Sequence, residues 1–200
     1  MAEAQPTSKH LKINVDAVVR KMPDLIGPRK ARRIGTLSAG ALPLFLNEST
    51  LDQILEYSAT ETRKEIGGFL IGNVYQDETP YIHIEHFLPA SDTNSKSGSV
   101  TFTHQTWEKL REQIESGYPD HKVMGWHHTH PGMGIFLSNY DRFIHHHFFD
   151  CPWQIAMVVD PCQQQFGIFQ WRDKELINNG LIIVPSEAIR KRKKGSFVYG

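Results

Sequence analysis

The sequence predicts an α/β domain, and three stretches carry that prediction. YIHIEHFLP, residues 81–89, alternates along an extended chain: Tyr81, His83, Glu85 and Phe87 share one face, and Ile82, Ile84, His86 and Leu88 the other. That is the pattern of a half-buried antiparallel strand. IGGFLIGNVY, residues 66–75, is a short continuous apolar run of the kind a buried strand needs. STLDQILEYSATETRKE, residues 49–65, spaces its apolar residues by three and four, so Leu51, Ile54 and Leu55 form one helical face.

Length and composition bound what such a domain can be. A chain of 200 residues with 40% hydrophobic side chains buries one core, with short extensions. Cys151 and Cys162 are the only cysteines, too few for a disulfide framework and too far apart for a CxxC pair, so a reducing interior is expected. The N-terminal MAEAQPTSKHLKINVD has no apolar signal core, and no apolar run reaches the length of a membrane span. A cytoplasmic protein with no membrane partner follows as the expectation.

Net charge is zero but unevenly spread. Residues 1–40 carry eight Lys/Arg against three Asp/Glu, and residues 186–200 carry five against one. The ends are therefore basic and the middle acidic. An isolated RKRKK run is most often a solvated tail, so nucleic acid is not an expected partner. An acidic core suits a basic protein partner instead.

Taken in order, residues 1–40 read as a basic N-terminal extension, residues 41–185 as the domain and residues 186–200 as a basic C-terminal tail. The extension has one apolar pattern, at Ile13, Val15, Val18, Val19 and Met22. It is open whether that pattern is a strand or short helix packed on the domain, a partner-binding segment or a partly ordered arm. The first clear helix is expected from about Thr50 to Arg63, with Ser49 as N-cap and Asp52 three residues on. The buried strand follows, its Gly67 and Gly68 suited to a close backbone approach. In the next strand His83 and His86 read as ordinary strand residues. SDTNSKSGS, Ser91 to Ser99, is a polar loop, followed by a short strand at VTF and an amphipathic helix from about His104 to Glu115. KVMGWHH, WQIAMVVD and QFGIFQW are three further strands, the last two joined by the turn PCQQ.

The stretch with chemistry in it is GWHHTHPGMGIFLSNYD, Gly125 to Asp141. One residue separates His128 from His130, so on an extended segment both side chains leave the same face and reach one ion. His127 alternates away from them. Pro131 stops the strand, Gly132 and Gly134 let the backbone turn, and Ser138 opens a helix with Asp141 in its first turn. Two imidazoles and a carboxylate leave the fourth tetrahedral position of a zinc ion for water, which distinguishes a catalytic from a closed structural site. One zinc per chain, held by His128, His130 and Asp141, is the expectation. His145, His146 and His147 do not make a second cluster, because consecutive helical residues diverge by about 100°. His146 with Cys151 is the only candidate start of a second, structural zinc site, and no further ligand pair stands at zinc spacing.

HTHPGMGIFLSNYD resembles the H-[ST]-H-P-x6-S-x2-D signature of the JAMM metalloproteases, also called MPN+ or JAB domains, with every fixed position filled. The resemblance extends from about Leu42 to Trp171 and takes in VVDP, Val158 to Pro161, which looks like the strand and turn after the zinc helix. It implies a single MPN/JAB domain of the cytidine-deaminase-like kind, a central mixed β-sheet flanked by helices. The family also requires a glutamate before its Gly-rich apolar strand, and Glu65 in KEIGGFLIG matches that position; on its own Glu65 would read as an exposed helix-end charge.

What the resemblance implies is a metallo-isopeptidase. Zinc brings the pKa of its bound water toward neutrality, Glu65 accepts the proton and returns it to the leaving amine, and the Ser138 hydroxyl donates to the oxyanion. Ser138 and Asp141 also read simply as a capping box. The implied substrate is a ubiquitin-like protein or its conjugate, and the Ser91–Ser99 loop takes the position of a substrate-binding segment or else is a plain surface loop. The compact form resembles the proteases of bacterial ubiquitin-like conjugation systems, which work beside E1-like and E2-like enzymes. The alternative is a catalytically silent MPN-type scaffold in such a complex. An HExxH protease and a cysteine protease both lack their motifs here.

Overall fold

The computed structural model describes residues 16–24, 31–90, 102–185 and 197–200. In chain order these form β1 (Val18–Val19), β2 (Arg32–Ile34), β3 (Leu44–Asn47), α1 (Glu48–Ser58), β4 (Gly67–Gln76) and β5 (Pro80–Pro89). There follow α2 (His104–Gly117), β6 (Lys122–Thr129), α3 (Asn139–Phe148), β7 (Ile155–Asp160) and β8 (Gln165–Arg172). Three short strands, β9 (Glu175–Asn178), β10 (Leu181–Val184) and β11 (Val198–Tyr199), complete the order. The expected α/β class is what is found.

All strands join one mixed sheet in the order β11-β8-β7-β6-β4-β5-β3-β10-β2, with β1 beside the far end of β4 and β9 beside β8. β4 and β5 are antiparallel, β3 runs parallel to β5 on its other side, and β6 and β7 run parallel with α3 as their crossover. The expected alternation of β5 does not hold along the whole strand: its register with β4 shifts at Glu85, so Phe87 joins the core face of Ile82 and Ile84, and both faces are largely buried instead of one. Nine of the ten β4 residues are buried, which explains its unbroken apolar run. Side chains alternate across it. Leu70 and Val74 face α1 through Leu51 and Ile54, while Phe69 and Ile71 face the layer of α2 and α3 through Leu110 and Ile144. Each such fully buried side chain contributes about 1.5–3 kcal/mol.

Two glycines permit approaches that a side chain would block. A Cβ on Gly68 would stand 2.6 Å from the carbonyl oxygen of Leu88 in the neighbouring β5. Gly125 has φ 150° at an irregularity between β4 and β6, and a Cβ there would collide with the carbonyl oxygen of Ile155. Gly125 thus keeps β6 against β7 three residues before His128.

The first helix departs from its expected limits. It starts at Glu48, capped by the backbone of Asn47 without a side-chain hydrogen bond, so Ser49 is not its N-cap. It ends at Ser58, not Arg63, because residues 59–64 bury no apolar side chain and the packing that sustains a helix stops there. Parts of the segments read as basic ends join the sheet. β1 pairs with β4, β2 with β10, and β11 with β8. Val18 and Val19 form a short strand paired with β4 whose two side chains are exposed, and Met22 packs on the core; Ile13 and Val15 lie outside the described residues. The Ser91–Ser99 loop and most of the VTF segment lie outside the described residues; Phe102 makes a single bridge. Among the described residues no helix is long and apolar enough to cross a membrane.

Candidate metal centre

β6 delivers His128, and His130 follows one residue beyond its end. The register with β4 sets Gly67 opposite His128. Beyond that pair, Thr129 donates its amide to the Ile66 carbonyl at 2.9 Å, and its Oγ1 accepts the Ile66 amide at 2.9 Å. Ile66 is therefore held from two directions, which fixes Glu65, the preceding residue, beside the histidines. From the other side β7 anchors the second histidine: the His130 amide donates to the Val159 carbonyl at 2.8 Å.

The third ligand candidate arrives on α3. Ser138 is the N-cap and Asp141 the third helical residue of a reciprocal capping box: the Asp141 amide donates to Ser138 Oγ at 3.2 Å, and the Ser138 amide to Asp141 Oδ2 at 2.7 Å. The cap reading and the ligand reading of these residues are thus compatible, because the cap orients the carboxylate.

His128 Nε2 and His130 Nε2 stand 3.1 Å apart. Asp141 Oδ1 is 3.5 Å from His128 Nε2, and Asp141 Oδ2 is 3.4 Å from His130 Nε2. Ligand atoms at the usual zinc bond lengths of about 2.0–2.1 Å sit about 3.3 Å apart along a tetrahedral edge, so the spacing suits that ion. Glu65 Oε1 lies 4.0 Å from His130 Nε2, at the rim of the same group. All four residues are buried. Among the described residues His128, His130 and Asp141 are the one set placed to hold a metal, and His146 with Cys151 is not part of any such set.

Electrostatics favour the ligand forms. Burial pushes the His128 pKa down, against the pull of Asp141, and keeps the ring neutral. For Asp141 burial pushes upward, but hydrogen bonds from His128 and His130 outweigh it and hold the carboxyl well below the ordinary range. Neutral imidazole and ionised carboxylate are what a metal requires.

Ring orientation has an unusual origin. Neither His128 Nδ1 nor His130 Nδ1 has a hydrogen-bond partner among the described residues. Aromatic contacts lie on both rings. Trp126 stacks flat on His128, and Phe136 packs at a tilt on His130 with ring centroids 4.7 Å apart. Trp126 in turn donates its Nε1–H to His145 Nδ1 at 3.1 Å, so the buried His145 supports the centre from behind while His146 and His147 are exposed. His127 faces away as expected, with its Nε2 2.9 Å from Ser58 Oγ.

The structure also corrects the surroundings of the acid-base candidates. Glu65 does not end a helix but sits in the segment between α1 and β4. Glu61, the nearest other carboxylate on that segment, is past the helix as well and accepts the Arg63 amide at 2.8 Å. Asp160, in the VVDP turn, has no role legible in the sequence, although its buried carboxylate accepts the Gly132 and Gly134 amides of the turn that follows His130.

Residues 45–151 match the model of the JAB1/Mov34/MPN/PAD-1 ubiquitin protease family. The chain belongs to the JAB/MPN family. Relatives of this JAB/MPN chain include the NAD(+) hydrolase TcpA of Theionarchaea archaeon, 30% identical over 58% of this chain and 33% of its own length. The ubiquitin carboxyl-terminal hydrolase RPN11 of Saccharomyces cerevisiae is 26% identical over 70% of this chain and 45% of its own. The 26S proteasome regulatory subunit rpn11 of Schizosaccharomyces pombe is 28% identical over 78% and 52%. The chain thus spans about half or less of the length of these relatives. Among solved structures, protein DSY2949 from Desulfitobacterium hafniense shares the fold with a TM-score of 0.54 at 17% identity, covering 72% of this chain and 94% of that one.

Proposed function

We propose that this JAB/MPN domain is a zinc-dependent peptidase or isopeptidase acting at the C-terminus of a ubiquitin-like protein. The observation that carries the reading is the convergence of His128, His130 and Asp141 into a buried three-ligand group with Glu65 at its rim. Relatives whose names denote ubiquitin hydrolysis support the substrate class.

Bound zinc would supply a Lewis acid for the scissile carbonyl and acidify a ligand water. His128 and His130 would hold the ion through Nε2 and Asp141 through its carboxylate. Glu65 would serve as general base, accepting a proton at its carboxylate and returning it to the leaving amine. Ser138 Oγ accepts the Asp141 amide through one lone pair, which leaves its O–H to donate to the oxyanion. Trp126, stacked on His128, would exclude water from one face of that ring, and Phe136 would cover part of His130. An extended tail would pair with an exposed strand edge, and the Ser91–Ser99 loop would flank it. E1-like and E2-like enzymes of the same pathway are the proposed partners, in a cytoplasmic setting.

The test is incubation with a panel of ubiquitin-like fusions, with and without chelator, and with NAD+ as a further arm because of the archaeal relative. Chelator-sensitive cleavage after the ubiquitin-like C-terminus is expected. A zinc-loaded protein inert toward the whole panel would support a silent scaffold, and turnover of NAD+ alone would replace the peptidase reading.

A further inference from the structure

The most heavily hydrogen-bonded carboxylate near the metal centre belongs to a residue that the proposed chemistry does not use. Asp160 closes β7, is fully buried, and accepts four hydrogen bonds, all from backbone amides. Its Oδ1 accepts Gly132 N–H at 2.9 Å, Cys162 N–H at 2.9 Å and Gln163 N–H at 3.0 Å. Its Oδ2 accepts Gly134 N–H at 2.7 Å.

These donors come from two different loops. Gly132 and Gly134 lie in the turn that leaves His130 and leads to Ser138, and both have positive φ, 73° and 85°. A Cβ at either position would meet nothing within 4 Å, so crowding does not fix the two glycines. Cys162 and Gln163 belong to the turn from β7 into β8. Gln163 adds a second link between the loops, donating Nε2–H to the Gly132 carbonyl at 3.4 Å.

We propose that Asp160 is a positioning residue for the metal centre: its carboxylate clamps the turn after His130 to the β7–β8 turn and so fixes the span between His130 and Asp141. The inference rests on reading His128, His130 and Asp141 as a zinc site. A carboxylate is the group the task needs. Glycines at 132 and 134 leave the turn conformational freedom to lose, and amide donors on a buried anion are among the stronger hydrogen bonds available. Burial alone would raise the Asp160 pKa, but the amides of Gln163, Gly132, Gly134 and Cys162 outweigh it and keep the acid ionised. With Val159 holding the His130 amide, two successive β7 residues secure both ends of the segment His130 to Gly134.

The uneven sharing of donors makes Asp160→Asn a selective probe. An amide has one acceptor oxygen. Placed toward Gly132, Cys162 and Gln163 it keeps three bonds and turns its NH2 against the Gly134 amide, so the bond deepest in the metal turn is lost. Zinc affinity, measured by competition with a chromophoric chelator, is expected to fall about 10- to 100-fold, as for other outer-shell supports. The visible spectrum of the cobalt-substituted variant is expected to differ from wild type.

A merely structural residue would lower the melting temperature and leave both readouts unchanged; that result would overturn the proposal. Wild-type protein that binds no zinc or cobalt would sink the metal reading itself, and this inference with it. Should Asp160→Asn fail to fold, amide exchange in the wild-type protein decides: Gly134 protected as well as the β7 amides supports the clamp, and exchange at the rate of an open loop refutes it.

Discussion

The indole of Trp126 lies face to face with the imidazole of His128, their centroids 4.3 Å apart and their planes inclined by 13°. With no hydrogen bond at His128 Nδ1 among the described residues, this stack does the orienting that a carboxylate or carbonyl does in many zinc sites. Trp126→Phe keeps an aromatic face but removes the donor to His145 Nδ1. It should cost about 1–3 kcal/mol in urea denaturation and leave zinc affinity near wild type. Trp126→Ala should cost about 3–5 kcal/mol and weaken zinc binding as well, because the ring loses its backing.

Glu65 and Asp141 should part company when each is made an amide. Glu65→Gln is expected to keep its zinc and lose about 10²- to 10⁴-fold in kcat, since only proton transfer is removed. Asp141→Asn should lose zinc and activity together, with part of the rate restored by added zinc. Metal content and single-turnover cleavage, measured on both variants, check the pair of expectations. Loss of zinc from Glu65→Gln at undiminished activity per metal would make Glu65 a ligand and send the search for the base to another carboxylate.

Acid should destabilise the fold through a histidine remote from the centre. His83 is buried on β5, its Nε2 2.8 Å from Asn47 Oδ1, and burial lowers its pKa to about 4. The unfolded chain protonates this ring near its ordinary value of about 6.5 while the folded chain does not, so between those values the unfolded state binds more protons. Stability should therefore fall as pH drops from 6.5 toward 4, by at most about 3 kcal/mol from this residue. His83→Gln should flatten the slope of unfolding free energy over that window; an unchanged slope would mean that His83 is not the group responsible.

The parts of this protein that were legible in its sequence are those whose cause is local. His128 and His130 share a face because they are two residues apart on a strand, and Ser138 and Asp141 meet because they are three apart across a helix start. The apolar run of β4 is local in the same sense, whereas the face assignment of β5 failed beyond Glu85, where a register shift set by pairing with β4 moves Phe87 to the face of Ile82 and Ile84. Asp160 escaped because its partners sit at positions 132, 134, 162 and 163 and are all backbone amides, which carry no residue signature. β2 escaped because Arg32 and Arg33 are exposed on an edge, and only pairing with β10, about 150 residues later, makes them a strand. The expected end of α1 was too late for a related reason. Thr60 to Lys64 are compatible with a helix but bury no apolar side chain, and the chain must leave the helix for Glu65 to face His130.

The account stands on a metal bound by three named side chains, and metal content per chain tests that most directly. After exhaustive dialysis the wild-type protein should retain one zinc per chain, and the double variant His128→Ala, His130→Ala should retain none while keeping its far-ultraviolet circular dichroism. Equal zinc content in the two proteins would contradict the account.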